Sequence, residues 1–149
     1  LALLGLANSL AGLVLIYTVY GISFTTLFFR NFYVALPDDI VKAAAVDGAG
    51  FWLTLTRVIL PLSGPIVMVS VVFQVTGIWN EFLFGVSFSA GTSQTLMVAL
   101  NNLVNTSFGA KEYNVDMAAT MIVALPVIVV YLFAGRFLVR GLTAGAVKG

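Results

Sequence analysis

Gln74, Thr76, Trp79 and Asn80 crowd hydrogen-bonding and aromatic chemistry into one short run of an otherwise apolar segment. Together they suit a neutral, polyhydroxylated ligand, which is held by a few placed polar groups and an aromatic face. On a helix, Gln74 and Ile78 share a face with Phe82, while Thr76 and Asn80 form a separate i, i+4 pair. Both faces cannot point fully at one pathway. A polar side chain inside a bilayer is costly and marks either a functional site or a tie between helices. Both roles stay open for Gln74, Thr76 and Asn80, and Trp79 also suits an interfacial belt. Covalent chemistry has no equipment here. The chain lacks histidine and cysteine, which removes Ser-His-Asp sets, thiol chemistry and the usual zinc sites. No GxxxxGK[ST] run is present, so the chain carries no P-loop for ATP.

The elements that position these residues must lie in a membrane. Of the 149 residues, 60% are hydrophobic and 9% charged, against about 25% charged in soluble domains. A net charge of +1 leaves no electrostatic footprint for nucleic acid. The chain opens on Leu1 with no basic segment before its first apolar run, and so reads as part of a longer protein. Leu1 to Phe29 is uncharged, and a spanning helix over 10–29 follows Asn8-Ser9. Tyr17 and Tyr20 on it either line a pathway or pack. A second span runs over 58–84, with Pro61 and Pro65 in its first turns. That places Glu81 about 30 Å beyond Pro61, at or near the opposite interface, as a boundary or gating residue. The third span, 117–135, lies between Asp116 and Arg136 and contains Pro126, which predicts a kink.

Two connections remain. Residues 36–61, LPDDIVKAAAVDGAGFWLTLTRVILP, read as two helices joined by a bend. Pro37 with Asp38 and Asp39 is a helix-start signal, Ala43 to Ala45 favour helix, and Gly48 and Gly50 end or bend it. Such an Ala- and Gly-rich helix lets another surface approach its backbone closely. The alternative is a plain solvated loop, with Asp47 a solvated acid. Residues 87–116 form a helix and loop at the other side. Within them Thr95 to Val104 is too short to span and reads as interfacial, and Asn105 to Asn114 as an exposed loop. With the 36–61 loop in the cytoplasm, Arg30, Lys42, Arg57, Arg136, Arg140 and Lys148 lie inside and only Lys111 outside, as the positive-inside rule requires. The C-terminus is then cytoplasmic.

Lys42-Ala43-Ala44, three residues, Gly48, nine residues, then Val58-x-Leu60-Pro61 resembles the EAA loop of binding-protein-dependent ABC importer permeases. Asp47-Gly48-Ala49 resembles the sugar-importer branch. Lys42 departs from the motif's Glu and reverses its charge, and Val58 stands for Ile. Trp79-Asn80-Glu81-Phe82 and the tail Arg140 to Gly149 resemble sugar permeases of the maltose-permease type, most similar to glucose/mannose-type permeases. The resemblance implies the C-terminal half of an all-α type I importer transmembrane domain. It has about three transmembrane helices and a cytoplasmic coupling helix. By that likeness Lys42, Ala43, Ala44, Asp47, Gly48 and Ala49 contact an ATPase subunit, while Arg57 pairs with the ATPase or with lipid phosphate. Gln74, Thr76, Trp79 and Asn80 would line the substrate pathway. Asn105, Lys111 and Tyr113 would belong to a loop that reaches the external binding protein, or to an ordinary flexible loop. Gly141, Gly145 and Gly149 suit a backbone threading a groove of the ATPase dimer, or a disordered tail.

The implied partners are ATPase subunits, a second permease subunit, an external sugar-binding protein, the sugar and the bilayer. The chain itself would need no cofactor, with ATP and Mg²⁺ held on the partner ATPase. Importers of another cargo, such as glycerol phosphate or an oligosaccharide, share these features. Two more distant alternatives are an ion-coupled secondary transporter, which needs an acid at mid-depth, and a membrane scaffold whose loop binds a partner.

Overall fold

A computed structural model describes residue 3, residues 5–105 and residues 112–146, with backbone alone at residue 92 and over 136–146. Lys111 and Gly149 lie outside the described residues. Helix is the regular structure throughout the described residues. Helix α1, Leu10–Ala35, starts at Ser9, whose Oγ accepts from the Gly12 amide (3.1 Å) and whose hydroxyl donates to the Leu6 carbonyl (2.9 Å). It runs past the predicted end at Phe29 and past Arg30. One exposed cation in a good helix former does not stop a helix. The stop is Leu36, extended at φ −67°, ψ 136°, as the residue before Pro37 must be.

Helix α2, Asp38–Val46, carries Asp38 and Asp39 against its positive N-terminal end. Helix α3, Phe51–Leu62, is wound as π-helix over Leu55–Ile59. Helix α4, Gly64–Asn80, follows at an angle of 61°. Pro61 and Pro65 each withhold an amide from the ladder at this corner, and a π-turn precedes it, both recognised causes of sharp kinks. Ser63 fills the corner, fully buried. Its hydroxyl donates to the Ile59 carbonyl (2.7 Å) and lies 3.2 Å from the Tyr33 hydroxyl of α1. The predicted second span over 58–84 is therefore two limbs, and only α4 runs along α1.

Helix α5, Leu83–Phe88, a 3₁₀ turn at Gly91–Ser93 and helix α6, Leu96–Asn105, form a short return segment. Gly85 permits its close packing, because a Cβ there would strike Thr95 Oγ1 and approach Val98, which is buried. Helix α7, Tyr113–Ala146, continues through Pro126 and past Gly141 and Gly145. The tail is thus helical to Ala146 rather than extended over that stretch. Helix α4 packs between α1 and α7, and α6 lies on α7. Helices Leu10–Ala35 and Tyr113–Gly135 are each long and apolar enough to cross a bilayer, and the bent pair α3–α4 makes a third crossing if counted as one.

Two hydrogen bonds hold the α4–α5 corner. Trp79 Nε1–H donates to the Val123 carbonyl of α7 (3.0 Å), and Val123 lies about 15 Å along α7 from Tyr113. The Tyr17 hydroxyl donates to Glu81 Oε2 (2.9 Å), and Tyr17 lies about 10 Å along α1 from Leu10. Glu81 is thus tied to α1 and Trp79 to α7 at these points. The bend at Ser63 takes only Pro61 and Leu62 off the straight line of about 30 Å, and α4 itself still runs about 25 Å from Gly64 to Asn80. Helix α6 lies against α7, and α5 packs on α1 and α6.

Candidate functional site

The hairpin α2–α3 is built around one glycine. Gly48 has φ +78°, the left-handed region that costs a residue with a Cβ about 1–2 kcal/mol. Its amide donates to the Ala45 carbonyl (3.0 Å) and the Ala49 amide to the Ala44 carbonyl (2.9 Å). These paired bonds are a Schellman motif, with Gly48 just past the helix end. The spacing from Lys42-Ala43-Ala44 to Gly48 is thus the length needed to finish α2 and reverse the chain into α3.

The remaining loop residues divide by face. Ala43, Asp47 and Gly48 are exposed, Ala49 is half-buried, and Ala44 turns inward and is buried. Ala44 therefore serves the hairpin's own packing, and the surface open to a partner is carried by Ala43, Val46 and Asp47. Lys42 Nζ lies 3.5 Å from Asp39 Oδ1, with both side chains well exposed, a pair of small energetic weight. Arg57 is exposed on the π-turn. Sequence reasoning passed over Val46, 88% exposed, and the pair Phe51 and Trp52, each 73% exposed with rings 5.3 Å apart. Apolar residues in a loop between spans were the available signal.

The polar run of α4 is distributed around the helix. Gln74 Nε2 donates to the Gly21 carbonyl (2.7 Å) and to Thr25 Oγ1 (2.9 Å), tying α4 to α1. Gly21 makes the approach possible, since a Cβ there would collide with the Gln74 amide. Gln74 also borders an open groove of about 470 Å³ with Tyr17, Thr18, Gly21, Thr25 and Thr26. The Thr76 hydroxyl donates back to the Val72 carbonyl of its own helix (2.6 Å). Trp79 faces α7, away from that groove, and its Nε1–H donates to the Val123 carbonyl (3.0 Å), one residue from Ile122, whose own carbonyl lacks an i+4 amide because Pro126 has none. Asn80 is exposed. The four residues are not gathered at one site.

Glu81 stands where no local pattern announces its partners. It ends α4, and its carboxylate accepts from the Phe84 amide (2.7 Å) and the Gly85 amide (3.1 Å), capping α5, as well as from Tyr17. Along the α1–α4 seam, rings stack from Phe28 and Phe24 across Phe73, and Tyr20 meets Phe84 edge-on at 5.5 Å. At the end of the return segment, Asn105 donates to the Asn101 carbonyl (2.9 Å). Tyr113 is exposed at the start of α7.

A bundle of apolar helices with a bent, glycine-terminated hairpin at one end defines a multi-pass membrane component. The family of binding-protein-dependent transport system inner membrane components matches residues 2–143, and the chain belongs to that family. It is 46% identical over 147 residues to a probable ABC transporter permease of Pyrococcus horikoshii, covering 98% of this chain and 53% of that protein. A diacetylchitobiose uptake system permease of Streptomyces coelicolor is 38% identical over 143 residues, covering 95% and 51%. A xylose/arabinose import permease of Haloferax volcanii is 33% identical over 146 residues, covering 95% and 47%. The chain spans about half the length of these curated relatives.

Proposed function

We propose that this chain is the C-terminal part of a transmembrane permease subunit of an ABC importer that moves a sugar from an external binding protein into the cytoplasm. ATP is hydrolysed on partner ATPase subunits, which hold the ATP and Mg²⁺, and this chain contributes motion rather than bond chemistry. The observation that carries the reading is the hairpin: a short helix ended by Gly48 at φ +78°, with Ala43, Val46 and Asp47 open, joined to the bent limb α3. A surface with so little side-chain bulk suits a cleft in a motor subunit. Displacement of α2 passes through α3 to the corner at Ser63 and so to α4.

The sugar part rests on relatives named for diacetylchitobiose uptake, xylose/arabinose import and alpha-glucoside transport. Oligosaccharide cargo is the second reading, favoured by the diacetylchitobiose systems. The positive-inside count puts the hairpin and the C-terminus in the cytoplasm. A second permease chain would complete the pathway, and Asn105 and Tyr113 lie on the side that faces the binding protein. The test is uptake by the complete complex in proteoliposomes, using mono- and disaccharides and glycerol phosphate as competitors. Uptake that requires both binding protein and hydrolysable ATP is the expected result. Uptake driven by an ion gradient without ATP would contradict the proposal.

A further inference from the structure

We propose that Tyr33 is a positioning residue that clamps the base of the α2–α3 hairpin, so that a push on α2 carries the end of α1 along with α4. The inference rests on the ATP-driven reading and adds to it the residue through which the hairpin's motion reaches α1. Its first support is the place of Tyr33. The chain leaves α1 at Leu36 and returns to the bundle at Ser63, and Tyr33 holds both points. Its backbone carbonyl accepts from the Leu36 amide (3.3 Å), and its hydroxyl lies 3.2 Å from Ser63 Oγ. Among the described residues this is the one hydrogen bond between α1 and residues 51–63.

The second support is the direction of the bonds. Ser63 is fully buried, and its single proton is spent on the Ile59 carbonyl (2.7 Å). The contact with Tyr33 must then run the other way, with the phenol donating to Ser63 Oγ. Two bonds in series therefore link Tyr33 on α1, Ser63 at the corner and Ile59, the last residue of the π-turn. Each polarises the other, and away from water both gain strength. The rings of Phe29 and Phe32, 5.9 and 5.6 Å from that of Tyr33, flank the donor.

The third support is what the corner lacks without the clamp. Pro61 and Pro65 have no amide, so the Arg57 and Pro61 carbonyls are each without the amide four residues on. The backbone ladder is thinned where α3 meets α4 at 61°. A corner so built can flex, and flexing would absorb a push on α2 before it reached the bundle. The series from Tyr33 through Ser63 to Ile59 takes up that slack, tying α3 to α1 by side chains where its own ladder is interrupted.

The experiment uses the complete complex in proteoliposomes and reads two things in Tyr33→Phe, which keeps the ring and removes the hydroxyl. Hydrogen exchange at the Ser63 and Val67 amides, which bond across the corner, reports the tie. Sugar moved per ATP hydrolysed reports the transmission. Without ATP or sugar, exchange at these amides is expected to quicken about two- to tenfold, the worth of one neutral hydrogen bond. Sugar moved per ATP is expected to fall about two- to tenfold, with hydrolysis kept. Ser63→Ala removes the acceptor, and adding Tyr33→Phe to it should lower the ratio no further, because both remove one interaction. A Tyr33 that only stabilises the fold would lower uptake and hydrolysis together and leave their ratio unchanged; that result overturns the proposal. Unchanged exchange at Ser63 and Val67 overturns the tie itself. Absence of ATP-dependent uptake by the unsubstituted complex sinks the importer reading, and the transmission role falls with it, whatever the exchange at Ser63 shows.

Discussion

The Gln74 amide donates two hydrogen bonds to α1, one to a backbone carbonyl and one to a hydroxyl. Interhelical bonds of this kind contribute about 0.6–2 kcal/mol each in membranes. Gln74→Leu should therefore lower the thermal stability of the solubilised protein by roughly that amount per bond, with uptake and stimulated ATPase activity falling together. Loss of uptake alone, at unchanged stability, would make Gln74 a cargo ligand rather than a tie. Gly21→Ala should produce a related loss, because its new methyl group meets the Gln74 amide. Residue type announced that Gln74 was significant, but not which role it takes. A polar side chain at mid-span is equally suited to a ligand or a neighbouring backbone, and the close approach allowed by Gly21 supplies the backbone partner. The pairing of Tyr17 with Glu81 across 64 positions of sequence had no local signature at all.

Among the elements, the hairpin was the most legible, because its stops are local. Pro37 sets the start of α2, and Gly48 sets its end through a backbone angle that other residues resist. Gly48→Ala should destabilise the hairpin by about 1–2 kcal/mol, seen as faster hydrogen exchange at the Gly48 and Ala49 amides. Gly48→Asn should do less, since Asn tolerates the left-handed region. Equal protection in all three proteins would mean that the Schellman bonds do not hold this end. A bulky substitution at Gly48 tests a partner contact poorly, because it strains α2 before any partner arrives. The second span was the least legible element. Hydropathy sees an uncharged run from Val58 to Asn80 but not the 61° corner inside it. Two prolines in a first turn and two prolines at a kink look alike until the limb before them is known to be helical. The length of α1 was underestimated for the opposite reason: the end was set by a charge at Arg30, whereas the backbone stops only for Pro37.

At the scale of the molecule, few side chains are buried and many large apolar ones are open, including Leu125, Leu132 and Phe133 on α7. Apolar side chains left open on helices long enough to cross a bilayer suit lipid or a further helix as neighbour. Leu125→Arg should impair membrane insertion by about 2.5–3.5 kcal/mol, the cost of an arginine near a span centre, whereas Tyr113→Arg at the start of α7 should insert with little penalty. Similar insertion of both would contradict α7 as a span. Composition made the membrane class legible, and basic residues made the orientation arguable. The most direct test of the account is a cross-link from the hairpin to the motor. Val46 is 88% exposed on α2, so Val46→Cys in the complete complex can reach an ATPase cleft that carries a matching cysteine, where the buried Ala44 cannot. A cross-link whose yield changes between nucleotide-free and ATP-bound complexes is the predicted result. An assembled complex that gives no cross-link in either state would contradict coupling through this hairpin.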